Sequence, residues 1–164
     1  MITDIRHLQL LEQFCMRLSG TPLPPVREST VKYPGDFDEL PVANYAAFAR
    51  LPPATRVAYC IHRLEAEVNN GGLYQFFSNS TGQYVRETIQ ALIDIGAPKT
   101  GDLLARAAEI CFPGGYPSDA SQYQTLLAEY GEVAELVEPL DVKFLAYEEP
   151  LSKLVNEYLG TASV

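Results

Sequence analysis

The chain has 164 residues, 47% of them hydrophobic and 20% charged, which predicts a single globular domain with a sizeable core. Its formal net charge of −9 argues against direct binding to nucleic acid or to an anionic membrane, because both attract clustered Lys and Arg side chains. The three widely spaced cysteines, Cys15, Cys60 and Cys111, argue against a disulfide framework or a zinc site and favour a cytoplasmic protein. Neither a signal peptide nor a membrane-spanning run is predicted.

Helical periodicity dominates the N-terminal part of the chain. One apolar stripe with steps of three and four residues predicts a helix that ends at Gly20: Ile5, Leu8, Leu11, Cys15 and Leu18. Residues 21–40 are rich in proline and predict an irregular but ordered loop. A short helix is expected to begin at Pro41 and to end before Pro52.

The central part of the chain predicts further helices. A long one begins near Pro53 and ends at residues 69–72, because Asn and Gly tolerate the left-handed backbone of a helix terminus. Its buried stripe is expected to be Val57, Ile61, Leu64 and Val68. A short helical turn over 73–77 and helices over about 83–95 and 99–111 follow. Their predicted inward residues are Val85, Ile89, Leu92 and Ile93 in the first of these helices, and Leu103, Leu104, Ala107 and Ala108 in the second.

The C-terminal part is also predicted to be helical. Ser118 or Asp119 is expected to cap a helix that ends at Pro139 and buries Leu126, Tyr130, Val133 and Val137. Two short helices over about 140–148 and 150–159 complete the chain. Strand signals are weak, so residues 1–164 are predicted to form one all-α domain of about seven or eight helices.

The segment from Glu65 to Asn79 has the least ordinary composition. It holds four side-chain amides, two adjacent glycines and three aromatic rings: Asn69, Asn70, Gly71, Gly72, Tyr74, Gln75, Phe76, Phe77 and Asn79. The amides are expected to satisfy helix ends and loop backbone, and the rings to anchor the turn in the core. A structural joint is therefore predicted here, with a direct binding role as the alternative.

His62, Glu65 and Glu67 are the candidates for catalysis or metal binding. His62 and Glu65 share a helix face, but the H-E-x-x-H pattern of a zinc protease is absent. All three side chains are predicted on a solvated face, because the apolar stripe defines the opposite one. The chain also lacks a phosphate-binding loop and a nucleophile motif, so we expect no enzymatic activity, cofactor or metal.

Acidic residues are concentrated at the C-terminal end. Residues 1–118 hold 12 acids against 10 Lys and Arg, whereas residues 119–164 hold 9 acids against Lys143 and Lys153. Acids recur every three residues at Glu129, Glu132, Glu135 and Glu138, which places like charges about 4.5 Å apart along a helix axis. Such a row either aids solubility or imitates a strand of DNA phosphates, and these residues alone favour neither.

The stretch Asn70-Gly71-Gly72-Leu73-Tyr74-Gln75-Phe76-Phe77-Ser78-Asn79 resembles a known signature. It is similar to the N-G-G-x-x-Q-[aromatic]-[aromatic]-x-N motif of a bacterial family of acidic DNA-mimic proteins. The resemblance covers about residues 57–110, and the acidic part over about 119–160 is similar only in character. It implies an all-helical, homodimeric protein that binds a helix-turn-helix repressor and keeps it from its operator.

The leading hypothesis is therefore a non-enzymatic DNA mimic that binds a basic DNA-binding protein. The expected partner-binding acids are Glu129, Glu132, Glu135, Glu138, Asp141, Glu148 and Glu149. One alternative is an immunity or antitoxin-like protein that neutralises a basic toxin through the same charge complementarity. The other is an enzyme or metal-binding protein that uses His62, Glu65 and Glu67 together with Asn70, Gln75 and Asn79.

Overall fold

The structure, a computed structural model, describes residues 45–117, 127 and 133–162. These residues form six α-helices and one 3₁₀ helix and contain no strand, which confirms the all-α prediction for this part of the chain. The helices are α1 (Tyr45–Ala49), α2 (Pro53–Ser78), α3 (Val85–Asp94), α4 (Pro98–Cys111), α5 (Val133–Leu145) and α6 (Leu151–Ala162), and the 3₁₀ helix Ser80–Tyr84 precedes α3. The predicted helix of residues 5–18, the loop of residues 21–40 and the cap at Ser118 or Asp119 lie outside the described residues.

Helix α2 is the centre of the fold and packs against α3, α4, α5 and α6. Its predicted stripe of Val57, Ile61, Leu64 and Val68 is buried, at 8% exposure or less. The helical backbone is interrupted where the sequence predicted a terminus. Gly71 has φ −165° and ψ 26°, and Gly72 has φ 79° and ψ 178°. Two helical segments therefore meet at a kink made by the two glycines.

The core continues from the kink through α3 and α4. Phe76 and Phe77 are at most 1% exposed, as predicted for aromatic anchors of the joint, whereas the third predicted anchor, Tyr74, is only partly buried. Phe77 contacts Phe112 edge to face, with ring centroids 5.8 Å apart, which joins the kink to the end of α4. The inward faces predicted for α3 and α4 are also confirmed, with Ile93 and Leu103 only partly buried at their edges.

The prediction that Pro139 ends a helix is wrong. Pro139 lies inside α5, and the residues after it continue the same helix to Leu145 rather than starting a new one over 140–148. The reason is the spacing of the buried residues on either side, Val133, Val137, Leu140 and Phe144, which recur by four, three and four. Burial of that continuous stripe outweighs the cost of a helical proline, which is about 3 kcal/mol.

Cys60 and Cys111 are free and buried, as expected for small core residues. Burial raises the pKa of the Cys60 thiol well above its usual range and that of Cys111 to about 12. Within the described ranges, no helix is long and apolar enough to cross a membrane.

Candidate functional site

The side-chain hydrogen bonds at the kink are built around one carboxylate, that of Glu67. Its side chain accepts hydrogen bonds from Gln75 Nε2 (2.9 Å) and Asn79 Nδ2 (2.7 Å), and Arg63 lies 3.4 Å away. Glu67 is only 8% exposed, so the prediction that it lies on a solvated face is wrong. A buried carboxylate is tolerated here because two amides and a guanidinium satisfy its oxygens.

The sequence predicted that the amides of Gln75 and Asn79 bond loop backbone, but both donate to the Glu67 carboxylate. They lie four residues apart and so on one face of the segment that follows the kink, from which both reach back to Glu67. This arrangement holds the two helical segments at a fixed angle. The sequence held one signal for this role of Glu67. Two side-chain amides four residues apart need an acceptor, and a nearby carboxylate can provide it.

Asn69 fixes the end of the first segment of α2 to the segment after α5. Its Nδ2 donates to the carbonyl of Glu65 (2.8 Å) and to the hydroxyl of Tyr147 (2.7 Å). Asn70 is exposed and does not join the Glu67 cluster. Two of the four amides, those of Gln75 and Asn79, thus converge on Glu67, whereas Asn69 and Asn70 do not join them.

Asp141 holds the start of the second segment of α2. The Leu73 N–H donates to Asp141 Oδ1 (2.7 Å), so a carboxylate of α5 caps the helix that begins at the kink. Burial raises the pKa of Asp141, the hydrogen bond from Leu73 lowers it, and the charge of Glu138 raises it. Glu138 therefore lies close enough to Asp141 for the two carboxylates to repel each other.

Glu149 holds the start of α4 in a similar way. It accepts hydrogen bonds from the backbone N–H groups of Lys99 (3.1 Å) and Thr100 (2.7 Å) and from the Thr100 hydroxyl (2.8 Å). Its neighbour Glu148 makes an ion pair with the Lys99 ammonium at 3.2 Å, with both side chains about 70% exposed. Glu148 and Glu149 therefore differ in role. Only Glu149 accepts hydrogen bonds from the backbone N–H groups at the start of α4, which have no partner within the helix.

We expect Glu149→Ala to lower the free energy of unfolding by about 1–2 kcal/mol, the usual value of a lost N-terminal cap. Glu148→Ala removes only an exposed ion pair and should change it by less than about 0.5 kcal/mol. Urea denaturation of the two variants compares them directly. Equal destabilisation would show that the contacts of Glu149 at the start of α4 contribute nothing particular.

The outer face of α5 carries the remaining predicted acids that the structure describes. Glu135 and Glu138 are exposed and have no cationic partner among the described side chains. Glu129 and Glu132 lie outside the described residues. The seven predicted acids are thus not one uniform surface. Asp141 and Glu149 make hydrogen bonds within the chain, whereas Glu135 and Glu138 point to solvent.

The residues proposed for an enzyme or a metal site are dispersed. The part of the chain that the structure describes holds no group of three His, Cys, Asp or Glu side chains that could bind a metal ion. Glu67 faces the amides, whereas Glu65 lies near His62 and Tyr147, and burial raises its pKa against the opposing effects of these two neighbours. A cavity does open between α1, α2, α3 and α6, but neither Asn70, Gln75 nor Asn79 lines it.

The fold and the site together define a class of protein. It is acidic and helical, has a glycine kink held by hydrogen bonds to carboxylates, and exposes acidic side chains on a neighbouring helix. The chain belongs to the DMP19-like protein family, because the sequence profile of that family matches residues 49–161, well over half of the chain. No curated protein and no solved structure shows significant similarity to it.

Proposed function

We propose that this protein is a DNA mimic that binds a basic DNA-binding protein and blocks its access to DNA. The observation that carries the proposal is the pair of exposed carboxylates on α5, which have no cationic partner among the described residues, in a chain that belongs to the DMP19-like family. Family membership supports the proposal because the resemblance noted in the sequence is to a DNA-mimic protein. The expected partner is a helix-turn-helix repressor.

The geometry of α5 supports this role. Glu135 and Glu138 are three residues apart and so about 4.5 Å apart along the helix axis, somewhat more than the rise of about 3.4 Å per phosphate along the axis of a DNA duplex. Glu129 and Glu132 share the three-residue spacing in the sequence and lie outside the described residues. Lys and Arg side chains that normally bind phosphates would then meet a regular series of carboxylates.

The same geometry separates the acids by expected role. Asp141 and Glu149 already accept backbone hydrogen bonds, and binding a partner through them would compete with the contacts that hold α2 and α4. Glu148 is exposed and shares its charge with Lys99. We therefore propose that the mimic surface consists first of Glu135 and Glu138, together with Glu129 and Glu132, which lie outside the described residues.

Charge reversal in a pull-down from the native host cytoplasm tests the proposal. We expect the wild-type protein to retain a basic DNA-binding protein at low salt and to release it as salt is raised, because the contacts are screened. Glu135→Lys/Glu138→Lys should reduce retention by roughly tenfold or more. Reversal of all four acids in the row should abolish it.

A matched control reverses two acids elsewhere. Glu109→Lys/Glu157→Lys changes the net charge by the same amount on exposed positions of α4 and α6, at the cost only of the exposed Lys153–Glu157 ion pair, and should leave retention nearly unchanged. Equal losses for the two double variants would show that net charge, not the α5 surface, governs binding. A captured toxin that does not bind DNA would favour the immunity alternative over the mimic.

A further inference from the structure

The cavity between α1, α2, α3 and α6 has a volume of about 180 Å³. Its inner wall is apolar and includes Phe48, Val57 and Ala91, which are at most 8% exposed. An apolar cavity of about 150 Å³ is large enough to hold a molecule of benzene. The cavity therefore suits the apolar body of a small organic molecule, and α5 contributes none of the residues described along its wall.

Two opposite charges lie at the outer edge of this cavity without meeting. Arg56 of α2 and Asp94 of α3 both line it, together with Tyr158 of α6. Burial raises the pKa of Tyr158, and the nearby charges of Asp94 and Arg56 raise and lower it, respectively. Neither charged side chain forms an ion pair within the described ranges. Arg56 and Asp94 therefore lie near one hydroxyl group but are separated from each other.

The Asp94 carboxylate is only partly satisfied by the protein. Its Oδ1 accepts a hydrogen bond from Gln90 Nε2 (2.9 Å), and no described residue donates to its second oxygen. Burial raises the pKa of Asp94 against the opposing effect of Gln90, so the surrounding protein removes part of the hydration of the carboxylate. A cation on a bound molecule would compensate for that loss. Glu87, another acid of the wall, already accepts a hydrogen bond from the Tyr45 hydroxyl at 2.6 Å.

Arg56 supplies the only cation among the described residues of the wall, and its side chain donates no hydrogen bond to any of them. A guanidinium presents parallel N–H donors that match the two oxygens of a carboxylate. An anionic group beside Arg56 and a cationic group beside Asp94 would each gain a partner. The wall thus combines an apolar surface, a site for an anion and a site for a cation, and a few polar groups around an apolar space are typical of small-molecule sites.

We propose that this cavity binds a free α-amino acid with an apolar side chain no larger than one aromatic ring. The side chain packs against Phe48, Val57 and Ala91, the α-carboxylate binds Arg56, and the α-ammonium binds Asp94. Because both charged groups are attached to one carbon atom, they can reach two side chains that lie close together but do not touch. A simple carboxylic acid would leave Asp94 without a cation, and a simple amine would leave Arg56 without an anion.

Calorimetric titration of the isolated protein with a set of related molecules tests the class of ligand. L-Phenylalanine or L-leucine should bind saturably, whereas L-alanine, which keeps both charges but lacks most of the apolar body, should bind at least tenfold more weakly. Phenylpropionate lacks the ammonium and phenylethylamine lacks the carboxylate, so each should also bind roughly tenfold more weakly than L-phenylalanine. Amide NMR spectra locate the site, because the residues of the cavity should shift and those of α5 should not.

Two variants test the role of each charge. Arg56→Gln should weaken binding of L-phenylalanine roughly tenfold or more but should not weaken binding of phenylethylamine, which has no carboxylate. Asp94→Asn should weaken binding of L-phenylalanine to a similar extent but should not weaken binding of phenylpropionate, which has no ammonium. Arg50→Gln and Glu109→Gln are the matched controls, because both residues are exposed and lie outside the cavity. Circular dichroism checks that each variant is folded.

The proposal is independent of DNA mimicry. Glu135→Lys/Glu138→Lys should leave amino acid binding unchanged, and Arg56→Gln should leave capture of a basic partner unchanged, so failure of either proposal is recorded by its own variants. No saturable binding of L-phenylalanine or L-leucine would overturn the proposal. Equal affinity for the analogues that lack one charge, or equal effects of the cavity variants and their controls, would also overturn it.

Discussion

Glu67→Ala is expected to lower the free energy of unfolding by about 3 kcal/mol, the cost of removing one partner from a buried hydrogen-bonded charge cluster. The change leaves the amides of Gln75 and Asn79 without the acceptor that they share, and leaves Arg63 without its carboxylate. It also removes the link that holds the two segments of α2 at their angle. Urea denaturation monitored by circular dichroism measures the loss.

Two further variants make the Glu67 prediction specific. Glu109→Ala removes an exposed carboxylate from α4 and should change stability by less than about 0.5 kcal/mol. Glu67→Gln keeps the side-chain volume and one acceptor oxygen, so its effect should lie between those of alanine and the wild type. If Glu67→Ala were no more destabilising than Glu109→Ala, the cluster would not stabilise the kink.

Gly72→Ala is expected to be the second large effect, at about 3 kcal/mol, because it combines backbone strain with overpacking. The φ of 79° and ψ of 178° at Gly72 lie in a region that is nearly exclusive to glycine. An added Cβ would also lie 2.5 Å from Asp141 Oδ2. The carboxylate would have to move, and it is the one that accepts the Leu73 N–H.

Substitutions at two other glycines distinguish the effect of backbone strain from that of overpacking. Gly96 has φ 83° but nothing within 4 Å of an added Cβ, so Gly96→Ala should show strain alone, at about 1 kcal/mol. Gly114 has open space and no positive φ, so Gly114→Ala should be close to neutral. Equal melting temperatures for the Gly72→Ala and Gly96→Ala variants would contradict a close contact between the kink and Asp141.

The helical periodicity predicted α2, α3 and α4 and their buried faces because those helices use local, evenly spaced apolar residues. The prediction that Pro139 ends a helix was wrong because the local rule about proline conflicts with a buried apolar stripe that continues on both sides of it. The burial of that stripe keeps the chain helical through Pro139. The sequence also predicted a break at Gly71 and Gly72, as the end of one helix, where the structure has a kink within α2.

The partners of the kink could not be predicted in the same way. Asp141 and Glu149 looked like members of one acidic surface, yet they reach helix starts that lie 68 and 49 residues away in the chain. Glu67 looked solvated because its donors follow the kink and reach it only once the chain has turned. Nothing in a local pattern distinguishes a capping carboxylate from a free one.

Displacement by DNA tests the central proposal most directly. The protein is immobilised, a partner is captured from the native host cytoplasm at low salt, and duplex DNA is then added at constant salt. The proposal predicts that DNA releases the partner, because carboxylates and phosphates occupy the same Lys and Arg side chains. A captured partner that stays bound in saturating DNA, or that has no affinity for DNA, would contradict DNA mimicry.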